Sequence, residues 1–499
     1  MPFPGKRTHW PHPPLRIGFH RHVAVSAAPG TTLLFCALIA LAFPSWVLGQ
    51  RDVVPAVGLD VGFDTRVREV TLHNLLDFND DSGPAVSGLL KASDTHFFRV
   101  RHRVSASLKF RAGFDLYSRF TTEWRKYLDP YESPTKMEII LDHLYLDVPE
   151  FFHLPLSLRV GRQDIIRGEG FMLLDGGPRD GSRSIYQNAI VLGIQGAAFG
   201  LKDATIDLFA IRNLAHDPFI VANDLSEDGI NNRIVEKDET AFGVYVTNPE
   251  FGQQNEIYYF YKEEEPDSDP YPDTRLHTRL HTIGMRLSGD LPWALKYAAE
   301  AAWQTGSQTE WQPDSLTEEK ISDHNSYGIY AWVSRSFIAP LQPTLKIGGI
   351  HLSGDDAHTE ECEDWNPLFS RWPKWSELYI YTLIPEYGRV AYWSNLTSLN
   401  AQVALRLTKR AKFSYTFHKL GAVHPATPAL LDDFYGEGTD RGELHEWKLS
   451  AEFGTRASCH FLIERFVAGD FYENPLGDDG EPIGKDDAYF FRWELMVKW

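Results

Sequence analysis

The sequence AYFFRWELMVKW, residues 488–499, alternates apolar and polar side chains up to the last residue of the chain. Successive side chains of a β-strand point to opposite faces, so this alternation predicts a strand with one apolar and one polar face. The apolar face carries Tyr489, Phe491, Trp493, Leu495, Val497 and Trp499, and the polar face carries Arg492, Glu494, Met496 and Lys498. In a soluble protein, an exposed strand with so many aromatic residues would promote aggregation. The segment is typical of a strand that crosses a membrane.

The same alternation recurs along the chain after residue 50. Clear examples are residues 57–68, 114–125, 295–304 and 446–453. No stretch of about 18 to 20 consecutive apolar residues follows residue 50, so the sequence offers no membrane-spanning helix there. The pattern therefore predicts an all-β protein.

The connections between the predicted strands alternate between short and long. Eight short turns lie near residues 109–113, 149–155, 200–203, 249–253, 290–293, 339–343, 408–410 and 454–456. Nine longer polar connections lie near residues 78–94, 126–136, 164–184, 213–239, 263–275, 306–324, 355–395, 421–441 and 469–487. Together they imply eighteen strands. The sequence thus predicts a transmembrane outer-membrane β-barrel of about 18 antiparallel strands, with short periplasmic turns and long extracellular loops.

The N-terminal region has the features of an export signal. Four cationic residues precede the apolar run LLFCALIALAF at 33–43: Lys6, Arg7, Arg16 and Arg21. The small residue Gly49 follows at the predicted cleavage point. We therefore expect a signal peptide at residues 1–49 and a single barrel domain at residues 50–499. Such a protein would lie in the outer membrane of a Gram-negative-type cell, in contact with outer-membrane lipid.

Composition and motifs exclude several classes of protein. The formal net charge of −19 argues against a nucleic-acid partner, because proteins that bind phosphate backbones normally present a basic face. Cys36, Cys362 and Cys459 are far apart in sequence, so neither a disulfide framework nor a zinc cluster is expected. The chain contains no phosphate loop, HExxH motif or nucleophile elbow. We expect no cofactor and no metal.

Two of the long connections are strongly acidic. One contains Asp355, Asp356, Glu360, Glu361, Glu363 and Asp364, and the other contains Asp478, Asp479, Glu481, Asp486 and Asp487. Carboxylates bind hard cations, but neither run has the ligand spacing of a known calcium loop. We therefore expect both to be solvated loops that face the outside.

The segment FFRVRHRVSASLKF, residues 97–110, sets three arginines on alternate positions between apolar residues. If the apolar residues face lipid, the interior carries Arg99, Arg101 and Arg103, roughly 6.6 Å apart because each residue of a strand rises by about 3.3 Å. This row predicts a cationic wall that favours anions in the pore. His102 falls on the lipid-facing side, and the sequence gives no reason for it.

Two further arginines, Arg119 and Arg125, lie on the polar face of the next predicted strand and would extend this wall. An alternative is that all these arginines pair with acids of the interior such as Asp115 and Glu123. The overall acidity of the chain favours the first interpretation, because arginine concentrated inside an acidic protein creates a local field.

Residues 158–189, LRVGRQDIIRGEGFMLLDGGPRDGSRSIYQNA, resemble the alginate-export family of outer-membrane porins. The resemblance is carried by VGRQ at 160–163, DG at 175–176, DGSR at 180–183 and SGDD at 353–356. It implies an eighteen-stranded barrel whose arginine-rich lumen conducts a polyuronate, with loops that narrow the pore. Residues at or near the constriction would be Arg162, Arg167, Arg179 and Arg183. In the alternative of a surface loop, Arg179 and Arg183 pair with Asp175 and Asp180.

The long DGGPRDGSR insert at 175–183 is not expected in the narrow group of true alginate exporters. The resemblance therefore supports export or uptake of an anionic or sugar-like solute more firmly than of alginate itself. The partners would be an anionic oligo- or polysaccharide or a small anionic solute. The terminal strand that ends in Trp499 resembles the signature by which bacterial barrels are recognised for assembly, which implies the barrel-assembly machinery as a further partner.

Two alternatives compete with a channel. His351 and Ser353 in HLSGDD resemble the His-x-Ser of outer-membrane phospholipase A, which would make the protein a lipid hydrolase. The residues after the serine are Gly354 and Asp355 rather than asparagine and glycine, and no group to orient the histidine is identifiable. The other alternative is a structural or adhesive barrel with a plugged lumen. We expect a non-enzymatic channel.

Overall fold

The alternating segments form antiparallel β-strands that close into a barrel. The computed structural model describes residues 57–75, 78, 94–129, 136–174, 186–201, 203–217, 219–223, 235, 237–250, 253–265, 276–312, 317–371, 374–387, 390–426, 436–473 and 486–499. The predicted signal peptide lies outside these residues.

The strands of the described part of the chain are numbered in chain order. They are β1 (Val57–His73), β2 (Thr95–Phe110), β3 (Phe114–Asp129), β4 (Lys136–Val148), β5 (Leu156–Gln163), β6 (Gln187–Gln195), β7 (Thr205–Asn213), β8 (Ile220–Asn223), β9 (Asp238–Glu250), β10 (Gln253–Glu265), β11 (Leu276–Leu291), β12 (Leu295–Gln312), β13 (Thr317–Ser336), β14 (Thr344–Leu352), β15 (Leu396–Arg406), β16 (Ala411–Gly421), β17 (Asp440–Phe453), β18 (Ala457–Ala468) and β19 (Ala488–Lys498).

In the described residues, helical structure is confined to single turns in the connections. Two short α-helices, α1 (Tyr379–Thr382) and α2 (Ile384–Tyr387), lie between β14 and β15. Four 3₁₀ turns cover Phe151–His153, Gly196–Phe199, Pro292–Ala294 and Asp470–Tyr472. No helix of the described residues is long and apolar enough to cross a membrane.

The ring consists of all these strands except β8, which gives the predicted number of eighteen. Each strand pairs with the next in antiparallel register, and β7 pairs directly with β9. The last strand closes the ring by pairing residues 489–498 with residues 64–73 of β1. Trp499 extends this pairing to the chain end, since its N–H donates to the carbonyl of Phe63 at 2.9 Å. A closed ring leaves no unpaired edge, so the aromatic terminal strand is protected from aggregation.

The two faces of each strand have the predicted character. On β2, Val104 on the outer face is 48 % exposed, whereas Arg101 on the inner face is 1 % exposed. Exposed apolar residues on the outer face of other strands include Ile283, Ile329, Leu399 and Phe461. An apolar outside and a polar inside are the two faces of a barrel that spans a lipid bilayer.

His102 has a place on the outer face that the sequence did not explain. Its Nδ1 lies 2.9 Å from Oγ1 of Thr65 on the neighbouring strand. Its ring stacks on Phe63 with centroids 6.1 Å apart, and Phe63 packs in turn against the terminal Trp499. The polar ring is therefore satisfied at the seam between the first strands and the chain end.

Short turns connect strands at one end of the barrel, here named the turn end, and long connections lie at the other, the loop end. All eight short turns occur where the sequence predicts them. The predicted long connection at 306–324 is wrong, because β12 continues to Gln312 and β13 begins at Thr317. Pairing extends to the ends of both strands, with one register shift between Gln308 and Thr309. Beyond the membrane neither face needs to be apolar, so the alternation fades while the backbone ladder continues.

Candidate functional site

Two long connections fold into the barrel and fill much of its interior. One is the β5–β6 loop, residues 164–186, and the other is the β14–β15 loop, residues 353–395. Their buried residues include Phe171, Met172 and Leu173 in the first loop and Trp365, Leu368, Phe369, Leu378, Ile380 and Leu383 in the second. The expectation of a fully solvated outer loop at 355–395 is therefore wrong after Asp364, since this apolar part requires burial. Glu360 and Glu361 are exposed as expected.

The VGRQ segment marks the point where the chain leaves the barrel wall. Gly161 has a positive φ of 127°, and a Cβ there would lie 2.2 Å from the carbonyl oxygen of Leu144, so only glycine fits. The side-chain amide of Gln163 donates to the carbonyl of Ala189 at 3.1 Å. Asp164 lies 2.9 Å from Nε2 of His143. These contacts end β5 after eight residues and direct the following chain inward.

The short strand β8 covers the wall where β5 ends early. It pairs with β4 at residues 138–140, beyond the part of β4 that pairs with β5. Arg162 connects this strand to the wall, because its guanidinium donates to both carboxylate oxygens of Asp217 at 2.8 and 2.9 Å. The Arg162 side chain also stacks on Tyr186 at 3.9 Å. It lines a groove with the exposed residues Leu144, Ile190 and Phe242, so it belongs to the outer side of the wall.

The β5–β6 loop contacts the opposite wall through Glu169. The carboxylate of Glu169 accepts from Nε1 of Trp332 at 3.0 Å and lies 3.5 Å from Nη2 of Arg286. Its backbone carbonyl accepts from Nζ of Lys374 in the β14–β15 loop at 3.0 Å. One residue thus links the barrel wall to both loops.

The SGDD segment marks the point where the β14–β15 loop leaves and rejoins the wall. The carbonyl of Ser353 accepts from the N–H of Trp365 at 3.1 Å and from the N–H of Asn395 at 3.0 Å. A Cβ at Gly354 would lie 2.2 Å from Oδ1 of Asn395, so glycine permits this close approach. Asp355 accepts from the N–H of Glu363 at 2.9 Å. The segment is therefore a structural junction at the base of the loop.

The two loops contact each other across the interior. The N–H of Phe369 donates to the carbonyl of Met172 at 3.2 Å, and the N–H of Leu174 donates to the carbonyl of Phe369 at 3.3 Å. Phe171 stacks on Trp365 with centroids 5.3 Å apart. Backbone pairing and ring stacking together make the two loops one partition across the barrel.

Polar contacts from the wall hold the β14–β15 loop in place. Glu386 forms an ion pair with Arg441 of β17 at 2.7 Å, and both side chains are buried. The carboxylate of Glu464 on β18 accepts from the N–H of Glu377 at 3.0 Å and of Leu378 at 2.9 Å. Arg492 of β19 donates to Glu377 at 2.8 Å. The loop is thus fixed to three adjacent strands, β17, β18 and β19.

A cavity of about 950 Å³ lies between this partition and the turn end. Its wall comes from β13 to β19, and its cationic residues include Lys346, Lys374, Lys448 and Arg492. Neutral polar residues such as Asn400, Gln402 and Thr416 lie between them, together with the rings of Trp332 and Trp375. Its carboxylates are Glu169, Glu377, Glu446, Glu464 and Glu494. The space suits a polar solute that carries charge.

Arginines form two adjacent rows on the inner face of β1 and β2. Arg66 lies opposite Arg101 and Arg68 lies opposite Arg99, while Arg103 lies opposite Asp64. Arg99 is 2.5 Å from Glu123, and Arg103 is 2.9 Å from Asp64. Arg66, Arg68, Arg99 and Arg101 are each at most 7 % exposed. The rows therefore lie inside the barrel in an ion-paired, closely packed arrangement.

The remaining arginines singled out by sequence lie in different places. Arg125 joins the rows through Glu123 at 3.4 Å, whereas Arg119 forms a separate pair with Asp142 at 2.8 Å. Arg167 pairs with Asp207 of β7 at 2.8 Å. Arg179 and Arg183 lie outside the described residues. The structure thus brings Arg99, Arg101, Arg103 and Arg125 together and separates Arg119, Arg162 and Arg167 from them.

His351 and Ser353 do not form a hydrogen-bonded pair in the structure. The Ser353 hydroxyl donates to the carbonyl of Glu363 at 2.7 Å and accepts from the N–H of Tyr327 at 3.0 Å. Nε2 of His351 lies 3.2 Å from the hydroxyl of Tyr327. The serine proton is therefore engaged by a backbone carbonyl rather than by the imidazole.

The base of the β14–β15 loop carries a carboxyl group, that of Asp364, whose surroundings disfavour its ionised form. Burial, together with the neighbouring Asp355, raises the pKa of Asp364 to about 7. Burial and the same acids raise the pKa of the Cys362 thiol to about 12, so this thiol is protonated and unreactive at neutral pH. Among the described residues, no group of three or more His, Cys, Asp and Glu side chains is placed to hold a metal ion.

Sequence reasoning missed the residues that organise the partition. Glu169, Lys374 and Glu386 lie in connections that the alternation pattern leaves without structure. One signal was available: residues 365–393, WNPLFSRWPKWSELYIYTLIPEYGRVAYW, are rich in aromatic and aliphatic residues. A solvated loop would not carry so many, so this composition indicates a buried segment.

A closed eighteen-stranded barrel with an apolar outside and a polar interior crossed by loops defines an outer-membrane channel. Residues 58–481 match the family described as Alginate export. This match covers most of the chain, and the protein belongs to that family.

The solved structures to which the chain is similar have low sequence identity. Acinetobacter baumannii OccAB1 has a TM-score of 0.51 and 9 % identity, covering 88 % of this chain and 96 % of that chain. Pseudomonas aeruginosa OccK5 (OpdH) has a TM-score of 0.49 and 10 % identity over 88 % of this chain and 98 % of that chain. OpdK from Pseudomonas aeruginosa has a TM-score of 0.48 and 9 % identity over 88 % and 99 %. No curated protein matches the sequence.

Proposed function

We propose that this outer-membrane channel conducts an anionic or sugar-like solute of the polyuronate type, for export or uptake. The observation that carries the proposal is that two lysines in the 950 Å³ cavity, Lys346 and Lys448, have no carboxylate partner among the described residues. In the described part of the chain, no carboxylate oxygen lies within 4.0 Å of either Nζ. Two such cations in a polar space provide contacts for the carboxylates of a passing solute.

The other charged groups of the cavity are already engaged. Glu377 pairs with Arg492, Glu494 with Arg68, Glu169 with Trp332, and Glu464 with the backbone of the β14–β15 loop. Glu446 lies two residues from Lys448 on the same strand face. Lys346 is held over the ring of Trp332 at 4.2 Å. An aromatic ring beside amide side chains and a cation is also suited to a sugar with a carboxylate group.

The arginine rows of β1 and β2 support the same solute class. Arg99, Arg101 and Arg103 lie inside a chain whose formal net charge is −19. A guanidinium presents paired donors that match a carboxylate, and several weak sites in series let a solute enter and leave. Alginate, named in the description of the family, is itself a polyuronate.

A second candidate is a plugged barrel with a structural or adhesive role. The burial of Arg66, Arg68, Arg99 and Arg101 and the partition formed by the two loops favour it, because a solute reaches the rows only if the partition moves. This candidate predicts no solute flux through the wild-type protein. The channel candidate predicts flux that depends on charge.

Solute flux into proteoliposomes separates these candidates. Glucuronate and glucose differ by one carboxylate, and we expect glucuronate to enter faster through the wild-type protein. Combined Lys346→Ala and Lys448→Ala should reduce this preference. Combined Lys409→Ala and Arg410→Ala removes the same charge from an exposed turn and should preserve it. No flux, or equal flux of the two sugars, would contradict the proposal.

We further propose that the protein is not a lipid hydrolase, because the Ser353 hydroxyl is engaged by the backbone. The test is phospholipid hydrolysis by purified wild-type protein and by Ser353→Ala. We expect no activity in either. Activity lost on this substitution would establish the hydrolase instead.

A further inference from the structure

The turn end of the barrel carries exposed apolar side chains at the tips of four turns. Phe152 lies between β4 and β5 and is 75 % exposed, Phe199 between β6 and β7 is 66 % exposed, and Trp293 between β11 and β12 is 78 % exposed. Ile338 between β13 and β14 is fully exposed. These turns belong to one continuous part of the ring, from β4 to β14, here named the apolar arc.

Three apolar residues in the turns of this arc have a backbone conformation that is unfavourable for bulky side chains. Phe152, Trp293 and Leu341 have positive φ angles of 55°, 63° and 63°. Left-handed backbone disfavours bulky side chains, and turns of this kind normally use glycine or asparagine. Strained apolar residues that are exposed are candidates for a function outside the protein.

The rest of the turn end carries exposed cations beside exposed apolar residues such as Leu407 and Phe453. The turns of β15–β16, β17–β18 and β2–β3 carry Lys409, Arg410, Arg456 and Arg111, all exposed. Within the described residues, no carboxylate lies within 4.0 Å of any of these four cations. We name these turns the basic arc. Four cations without ion pairs at one end of a chain of net charge −19 form a local positive surface.

The apolar arc continues the lipid-facing surface of the barrel. Exposed apolar residues lie in its turns or next to them, including Leu154, Leu201, Leu291, Val333 and Leu345. Acidic residues in these turns, Glu150 and Asp203, lie next to the strands rather than at the tips. The apolar tips therefore have an apolar surface leading directly to them from the membrane side.

We propose that the turn end inserts unevenly into the periplasmic phospholipid leaflet. The apolar arc enters the boundary between head groups and acyl chains, and the basic arc binds lipid phosphates at the surface. Aromatic side chains favour this boundary, and lysine and arginine favour anionic head groups. The barrel is accordingly tilted, with the β4–β14 side deeper in the leaflet.

Single dye-labelled cysteines test this arrangement in lipid nanodiscs, in which both faces of the membrane are accessible. The native cysteines are replaced by serine, and cysteine is introduced as Trp293→Cys or Ile338→Cys in the apolar arc and as Arg410→Cys or Arg456→Cys in the basic arc. The nanodiscs contain phosphatidylethanolamine, phosphatidylglycerol and a lipid with a nitroxide near the head group. Quenching by this lipid and by aqueous iodide is measured at each site.

We expect dyes in the apolar arc to be quenched by the nitroxide lipid and protected from iodide, and dyes in the basic arc to be quenched by iodide. Equal access of iodide to both arcs would overturn the proposal and point to a protein partner for the apolar tips. Phe152→Ser, far from the dye sites, serves as a second variant: it should raise iodide access at position 293. Unchanged access in this variant would also contradict insertion of the arc as one unit.

Discussion

In the β14–β15 loop, the surroundings of Asp364 disfavour the ionised form of its carboxyl group. Its pKa is about 7, above the ordinary value of 3.8, because the group is buried beside Asp355. Between about pH 4 and pH 7 the folded loop binds a proton that the unfolded chain has lost. The stability of the loop therefore falls as the pH rises through this window, by at most about 1.4 kcal/mol per pH unit.

We predict that the β14–β15 loop opens more readily at pH 8 than at pH 5.5. Hydrogen exchange of residues 376–387, corrected for the intrinsic rate, should be faster at the higher pH. Asp364→Asn removes the titrating group and should abolish most of this difference. The same pH dependence in wild type and variant would show that another group is responsible.

Arg162 illustrates how a residue identified from a motif can have a different role. Its ion pair with Asp217 attaches β8 to the wall, whereas Arg99 and Arg101 lie in the interior. The sequence assigns Arg99 and Arg101 to the solute pathway from the alternation in residues 97–110, and Arg162 from the family resemblance of residues 158–189. The groove that Arg162 lines with the exposed residues Leu144, Ile190 and Phe242 shows that it lies on the outer side.

We predict that Asp217→Ala destabilises the barrel without changing ion selectivity. Loss of one partner from a buried ion pair leaves an uncompensated charge and costs roughly 3–5 kcal/mol. The midpoint of heat-induced unfolding, followed by electrophoretic mobility, should fall. Asp203→Ala, an exposed acid of the turn end, should leave the midpoint unchanged. Altered selectivity in Asp217→Ala would place Arg162 in the solute pathway.

At the scale of elements, strands were predictable and the partition was not. A strand in lipid must alternate along its whole length, so the eighteen barrel strands are visible in the sequence. The inward loops depend on contacts between distant residues, such as Glu464 with Leu378 and Arg441 with Glu386. The local alternation of apolar and polar residues does not predict such contacts. What the sequence does offer is the aromatic composition of residues 365–393.

We predict that Glu386→Ala opens the partition. The substitution leaves Arg441 buried without its 2.7 Å partner, so the attachment of the loop to β17 is weakened to the hydrogen bonds of Arg441 with Tyr379 and Asn395. Single-channel conductance should rise above the wild-type value. Glu360→Ala removes an exposed acid from the same loop and should have no effect. If the conductance of both variants equals that of wild type, the loop does not limit the pore.

At the scale of the whole molecule, the charged side chains are distributed unevenly between parts of the barrel. Arginines form two rows on the inner face of β1 and β2, and four further cations lie in the basic arc of the turn end, while the chain as a whole is acidic. The composition alone indicates an acidic protein and does not reveal the arginine rows of β1 and β2. Barrel topology resolves this, because it sorts alternate residues of β1 and β2 into an outside and an inside.

The reversal potential of single channels under a salt gradient tests this account most directly. We predict anion selectivity for wild type and its loss in the combined variant Arg99→Ala, Arg101→Ala and Arg103→Ala. The combined variant Arg111→Ala, Arg410→Ala and Arg456→Ala removes the same charge from exposed turns and should remain anion-selective. A wild-type pore that is closed or selective for cations, or unchanged selectivity in the first variant, would contradict the account.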